Sequence, residues 1–350
     1  MARMRRSPHP RVRRFAPLSC FPILSLLLLP AFTRATELGV ERTRFTLDGK
    51  PTFLLGVSYY GALGASDRTV EADLKDMREA GFNWIRAWAT WAAFGNDVSA
   101  VDAKDGSPRK EHLARLVRLV ETCDRQGVVV NVTLSRGNGA TGPPRLQTHE
   151  AHRRAVETLV TAEGLKGRRN WYLDLSNERN LTDQRHTSMD DLAALRRRVR
   201  ELDPERLVTA SHVGDPKSDE VKDYLDTIGV DFLSIHRGRH KGTTGETEAR
   251  AKRTLSMMKD LGRQVPLHYD EPFRRGFAEW EPDAEDFLAD LAAAKAGGAA
   301  GWCFHNGHSK SGPEGRPRRS FDLREKRRFE QLDEPERELI ARLREMRQPR

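Results

Sequence analysis

From residue 54 onward, short apolar runs recur at regular intervals along the chain. They lie near residues 54–57, 84–87, 128–134, 171–175, 207–210, 232–235, 265–267 and 300–304. Between them come segments whose apolar positions repeat every three or four residues, as on one face of a helix. Leu113, Leu116, Val117 and Val120 form one such set, Leu192, Leu195 and Val199 another, and Leu288 and Leu291 a third. Leu339, Ile340 and Leu343 predict a closing helix. Pro108, Ser188 and Asp283 stand at helix starts, and Gly81, Gly127, Gly167, Gly262 and Gly297 at helix ends. Runs that are apolar on every residue suit parallel strands covered by a helical layer. Eight strand–helix units therefore predict an α/β fold, a single-domain (β/α)8 TIM barrel spanning residues 36–346. An open doubly wound sheet is the alternative, and the Gly-rich first turn typical of that fold is absent from the sequence. Ahead of the first unit, the sequence around Asp48-Gly49 predicts a small N-terminal β-hairpin.

The first 35 residues read differently. Residues 1–14 are basic, 15–32 are largely apolar, and Thr33-Arg34-Ala35 ends on a small residue, the three-part pattern of a secretory signal peptide. A single membrane anchor is the alternative, but Pro17, Pro22 and Pro30 break the apolar run. The expectation is cleavage after Ala35, no stable membrane span thereafter, and a secreted or periplasmic protein.

Charge changes the picture only through its location. The 350-residue chain has a formal net charge of +9. Seven arginines and no acid fall in residues 1–35, so the other 315 residues carry only +2. No basic groove for nucleic acid is expected. Cys123 and Cys303, the two cysteines beyond the leader, are expected as separate buried thiols.

Candidate chemistry sits just past two apolar runs, where the active face of such a barrel lies. The fourth run continues into Ser176-Asn177-Glu178 and the seventh into His268-Tyr269-Asp270-Glu271. Strands four and seven oppose each other across an eight-stranded ring, so Glu178 and Glu271 can converge despite their separation along the chain. Two carboxyl groups flanking one pocket are what glycosidic-bond cleavage requires. His236, His240, His268 and His305 lack metal-binding spacing, and neither a metal nor another cofactor is expected. Loops at residues 88–107, 135–147, 237–244 and 305–329 are expected to shape specificity; the last carries Arg316, Arg318 and Arg319.

These residues resemble the glycoside hydrolases of clan A, and most of all the cellulase family, family 5. Residues 45–51 with 55–60 resemble that family's opening hairpin and first strand, and Gly81-Phe82-Asn83-Trp84-Ile85-Arg86 its second strand. Asn177-Glu178, His236, Glu271 and Trp302 fall at its strand-four, -six, -seven and -eight site positions. The resemblance implies a retaining β-glycosidase, with Glu178 as general acid/base and Glu271 as nucleophile. It further implies that Arg86 keeps Glu271 ionised, that Asn177 binds the substrate's 2-hydroxyl and that Trp302 stacks on the sugar, extended by Trp88 and Trp91. The implied partner is a β-glycan or oligosaccharide, handled by a monomer. Two departures stand out: Ser135-Arg136-Gly137 replaces the His after strand three, and His236-Arg237-Gly238 lacks the Tyr that contacts the nucleophile. Tyr269, of the same strand parity as Glu271, is the candidate substitute, and Asp270 is a second candidate nucleophile. A catalytically inactive, glycan-binding relative is the alternative function.

Overall fold

The computed structural model describes residues 35–137, 144–276, 279–305 and 321–347. The leader and Arg316, Arg318 and Arg319 lie outside the described residues. Ala35 onward forms one compact unit.

The chain opens with β1 (Leu38–Glu41), β2 (Arg44–Leu47) and β3 (Lys50–Thr52), an antiparallel three-stranded sheet. The expected hairpin is its second half. Leu47 pairs with Lys50 across Asp48 and Gly49, whose φ angles of 52° and 77° suit a two-residue hairpin turn. Sequence reading omitted β1. Phe45 of β2 is fully buried, its ring 4.9 Å from Phe232 and 5.6 Å from His268.

The barrel strands follow: β4 (Leu54–Ser58), β5 (Trp84–Trp88), and, after the small hairpin β6 (Ala92–Ala93) and β7 (Asn96–Asp97), β8 (Val129–Thr133). Then come β9 (Trp171–Asp174), β10 (Val208–Thr209), β11 (His212–Val213), β12 (Leu233–His236), β13 (Leu267–Glu271) and β14 (Gly301–Phe304). All pair in parallel, in the order β10-β9-β8-β5-β4-β14-β13-β12-β11. The terminal pieces β10 and β11 are halves of one stretch, residues 208–213. β10 pairs with β9 and β11 with β12, so the fifth strand closes the ring and the predicted (β/α)8 barrel is the observed fold.

Helices α1 (Asp67–Glu79), α2 (Lys110–Arg125), α3 (His149–Thr161), α4 (Met189–Leu202), the short α5 (Ser218–Lys222), α6 (Thr243–Asp260), α7 (Ala284–Ala296) and α8 (Glu334–Arg347) form the outer layer. Their starts follow local chemistry: Ser188 accepts a hydrogen bond from the Asp191 amide, and Asp283 exchanges a reciprocal pair with Asp286. Leu192, Leu195 and Val199 of α4 and Leu339, Ile340 and Leu343 of α8 are buried, as their spacing predicts. Cys123 and Cys303 are separate buried thiols. Among the described residues, no helix is long and apolar enough to cross a membrane.

Alternation sorts the strand residues between two cores. Leu54, Trp84, Val129, Tyr172, Phe232 and Cys303 join Phe45 in the lumen, whereas Ile85, Val130, Leu173, Ile235, Tyr269 and Trp302 pack with the helices. Two residues further along β5 and β12, the lumen set becomes polar: Trp84 is succeeded by Arg86, and Phe232 by Ser234 and then His236. The lumen thus climbs from an apolar base to a charged mouth at the C-terminal strand ends.

Candidate active site

Arg86 is the centre of the charged layer and is fully buried. Its Nη1 donates to Glu271 Oε2 at 2.5 Å, its Nη2 to Asn177 Oδ1 at 2.7 Å and Asp174 Oδ2 at 3.2 Å, and its Nε to Thr133 Oγ1 at 3.2 Å. Burial alone opposes its charge, but Asp270, Glu271 and Asp174 outweigh that penalty and hold its pKa well above the usual value.

Glu178 leaves β9 in the left-handed region at φ 51°, a conformation a non-glycine residue holds only when its surroundings enforce it. Here Asn177 N donates to Leu134 O at 2.8 Å, Glu178 N to Ser211 Oγ at 3.1 Å, and Arg179 N to Ser211 O at 3.2 Å. Ser211, between β10 and β11, is in turn held by Asp174. The neighbouring strands therefore clamp the turn that aims Glu178 across the mouth.

On the opposite side, a bulge changes the parity of β13. Ser234 pairs with His268 and His236 with Glu271, so two steps along β12 face three along β13. His268 and Asp270 face the lumen, and the extra residue brings Glu271 to the mouth beside them. The same bulge overturns the expectation for Tyr269. It lies outside the lumen, with the Arg237 guanidinium 5.1 Å from its ring centre. The hydroxyl beside Glu271 comes instead from Tyr60, just past β4, at 3.3 Å from Oε2. Trp302 is likewise not a sugar platform: it alternates outward from Cys303, is fully buried, and donates from Nε1 to Asp290 Oδ2 of α7 at 2.8 Å. The aromatic wall is built by Tyr60, Trp88 and Trp91, with Tyr60 and Trp91 ring centres 4.7 Å apart.

Oxygens of Glu178 and Glu271 and a ring nitrogen of His236 all lie within 4.8 Å of one another. His236 Nδ1 is 3.2 Å from Glu178 Oε1 and 3.7 Å from Glu271 Oε2, and its Nε2 is 3.6 Å from Asp270 Oδ1. Burial disfavours an imidazolium there, but Glu271 and Asp270 raise the His236 pKa on balance. Burial likewise opposes ionisation of Glu271, yet His236, Arg239 and Arg86 hold its carboxyl well below the usual range. Glu178 is lowered too: the hydrogen bond from His236 and the charge of Arg239 overcome burial and repulsion from Glu271. Asp270, fully buried, is pushed up to about 6 by burial. His305 is kept neutral by burial; with Nδ1–H donating to Pro272 O at 2.9 Å, its Nε2 accepts from Arg274 at 3.2 Å.

The loops after β9, β12 and β13 send Arg185, Arg239 and Arg274 to the same cavity, of about 650 Å³. Arg185 pairs with Glu178 and Asp183, and Arg239 with Glu271. Sequence reading singled out none of these arginines, although Arg239 falls in one of the loops it marked for specificity. Glu178, His236 and Glu271 are close enough to offer a cation three ligands. The guanidinium groups of Arg86, Arg185 and Arg239 already supply the positive charge those carboxylates would otherwise draw from an ion.

Fold and site together define a (β/α)8 barrel with paired carboxylates at its C-terminal mouth. No protein-family model and no curated protein matches the sequence. Solved structures do match. A glycoside hydrolase family 5 protein from Bacteroides vulgatus shares 15% identity over 90% of this chain and 71% of that one, with a TM-score of 0.64. A family 5 mannosidase from Rhizomucor miehei shares 12% over 89% and 96%, with a TM-score of 0.61. An endo-1,4-β-mannanase from the same organism shares 12% over 76% and 89%, with a TM-score of 0.59. At such identity the likeness establishes the fold; the chemistry must be argued from the site.

Proposed function

We propose that this chain is a retaining β-glycosidase acting on a β-glycan or oligosaccharide, exported by virtue of its leader. The observation that carries the reading is the approach of Glu178 and Glu271 to within 4.8 Å at the mouth of the barrel. An approach of one oxygen from each carboxylate to within that distance supports the roughly 5–5.5 Å spacing of double displacement over the roughly 6.5–9.5 Å of an inverting pair. Glu271, ionised by its cationic neighbours, attacks the anomeric carbon. Glu178 protonates the departing oxygen, and then removes a proton from the water that releases the sugar. Burial and repulsion from Glu271 are what push Glu178 toward the protonated form the first step needs, against the hydrogen bond from His236 and the charge of Arg239. Asn177, anchored through Oδ1 to Arg86, meets the 2-hydroxyl. Tyr60, Trp88 and Trp91 take the apolar face of the ring.

Glu178→Gln and Glu271→Gln should each abolish hydrolysis of aryl β-glycosides while leaving the circular dichroism spectrum unchanged. Normal turnover in either variant removes the assignment. The ion pairs that tie both carboxylates to arginines favour a second reading, a silent barrel that only binds glycans. Covalent trapping of Glu271 by a fluoro-sugar excludes it.

A further inference from the structure

We propose that cleavage after Ala35 builds an ion pair into the mature protein: the α-ammonium group released at Thr36 docks on Asp124 at the C-terminal end of α2. The inference rests on the export reading above and is independent of the catalytic one.

Thr36 is buried, whereas Ala35 before it is exposed. The Thr36 backbone nitrogen donates to Asp124 Oδ1 at 2.7 Å, and its Oγ1 donates to the Asp124 carbonyl at 2.9 Å. Glu37 N donates to Asp48 Oδ1 and Leu38 N to Arg169 O, each at 2.9 Å. These bonds come from Thr36 itself and from the residues after it, so they survive removal of everything up to Ala35.

The place suits a cation. Asp124 lies in the last turn of α2, where the helix dipole already presents partial negative charge. Its other oxygen, Oδ2, accepts from Arg168, which also pairs with Glu121, both at 2.8 Å. Arg125, next along α2, turns its guanidinium to Thr122 Oγ1 at 3.0 Å, and Arg169 pairs with Asp203 and Glu205.

In the uncut chain, residue 36 offers Asp124 a neutral amide. Hydrolysis of the Ala35–Thr36 bond adds one water, leaving a carboxylate on Ala35 and, with the proton taken up, an ammonium on Thr36. One of its hydrogens keeps the bond to Asp124, and the others face the exposed position that Ala35 leaves, where water reaches them. A charge-assisted bond thus replaces a neutral one. A nitrogen buried in this way is closed to a peptidase, so the cut precedes folding of the segment, as cleavage during export requires. The pair holds the proton on the amine and raises its folded pKa above the ordinary value of about 7.7–8.0. The stability it lends is complete below that value and is lost as pH rises through the folded pKa.

The first test expresses the full chain with its leader in a secreting host and sequences the exported product from its N-terminus. Thr36 should come first. An uncut product, or one that begins elsewhere, overturns the proposal together with the cleavage site and leaves the catalytic reading untouched. The second test compares residues 36–350 with residues 35–350, since Ala35 onward is one compact unit. The two have the same formal charge, but in the longer chain residue 36 is an amide and the ammonium sits on exposed Ala35. At pH 6 the chain that starts at Thr36 should have an unfolding constant about tenfold smaller, and the gap should close by pH 10. In Asp124→Asn the gap between the two starts should vanish, however much the loss of Arg168's partner costs both. Equal stability at pH 6, or a gap that persists at pH 10 or in Asp124→Asn, overturns the ion pair and leaves the cleavage site standing.

Discussion

Replacing Arg86 by methionine tests whether the charged layer of the lumen is held together as the geometry indicates. The substitution keeps much of the side-chain volume and deletes four hydrogen bonds, to Glu271, Asp174, Asn177 and Thr133. It leaves Glu271, Asp174 and Asp270 buried without their shared guanidinium. Breaking a buried ion pair by removing one partner costs about 3–5 kcal/mol, a large part of the roughly 5–15 kcal/mol that holds a typical protein folded. A melting temperature lower by roughly 10 °C at neutral pH should result. The pH dependence is the sharper signature. Asp174 and Asp270 already titrate above the usual range because of burial, with Arg86 opposing that rise, so its loss lifts both further. A carboxyl whose folded pKa exceeds its unfolded value contributes stability below the unfolded pKa that is lost as pH rises through the folded one. Glu271 works the other way in the native protein: its depressed pKa stabilises the fold above the unfolded carboxylate range, and the variant loses part of that contribution. Both effects make the deficit larger at pH 8 than at pH 5, and the acid limb of kcat/KM should move to higher pH. Differential scanning calorimetry across that range is the assay. A variant as stable as the parent at pH 8, or a deficit that does not grow with pH, refutes the electrostatic account.

Other substitutions probe the remaining assignments. Trp302→Phe removes the bond to the buried Asp290 and should cost about 1–3 kcal/mol of stability by denaturant titration. KM should stay unchanged, and a large rise in KM would return Trp302 to the pocket. Asp270→Asn takes away one of the two charges that raise the His236 pKa. The imidazole should then titrate at lower pH by NMR, and the stability its raised pKa lends below the unfolded value should be lost at lower pH. In Gly56→Ala the new Cβ would lie 1.6 Å from Trp84 Cε3 at the base of the lumen. Overpacking of about 1–3 kcal/mol should lower the melting temperature, with activity per folded molecule unchanged.

Much of this architecture is legible in the sequence because strands and helices announce themselves locally. All eight barrel strands begin within a few residues of an apolar run, since each must bury both faces. The Asp48-Gly49 turn and the caps at Ser188 and Asp283 depend on adjacent residues alone. Asn177-Glu178 and Glu271 stand out because polar residues directly after an apolar strand fall at the barrel's mouth. Other features depend on pairings between distant segments. Whether Tyr269 or Asp270 faces the lumen turns on one extra residue where β13 meets β12, and strand parity read along β13 alone misses it. Tyr60 supplies the hydroxyl beside Glu271 because β4 sits next to β14 and two strands from β13, an adjacency created only when the ring closes. Long, flexible arginine side chains from three separate loops meet over the carboxylate pair. Their convergence is decided by loop paths and mutual charge, which only the tertiary structure brings together.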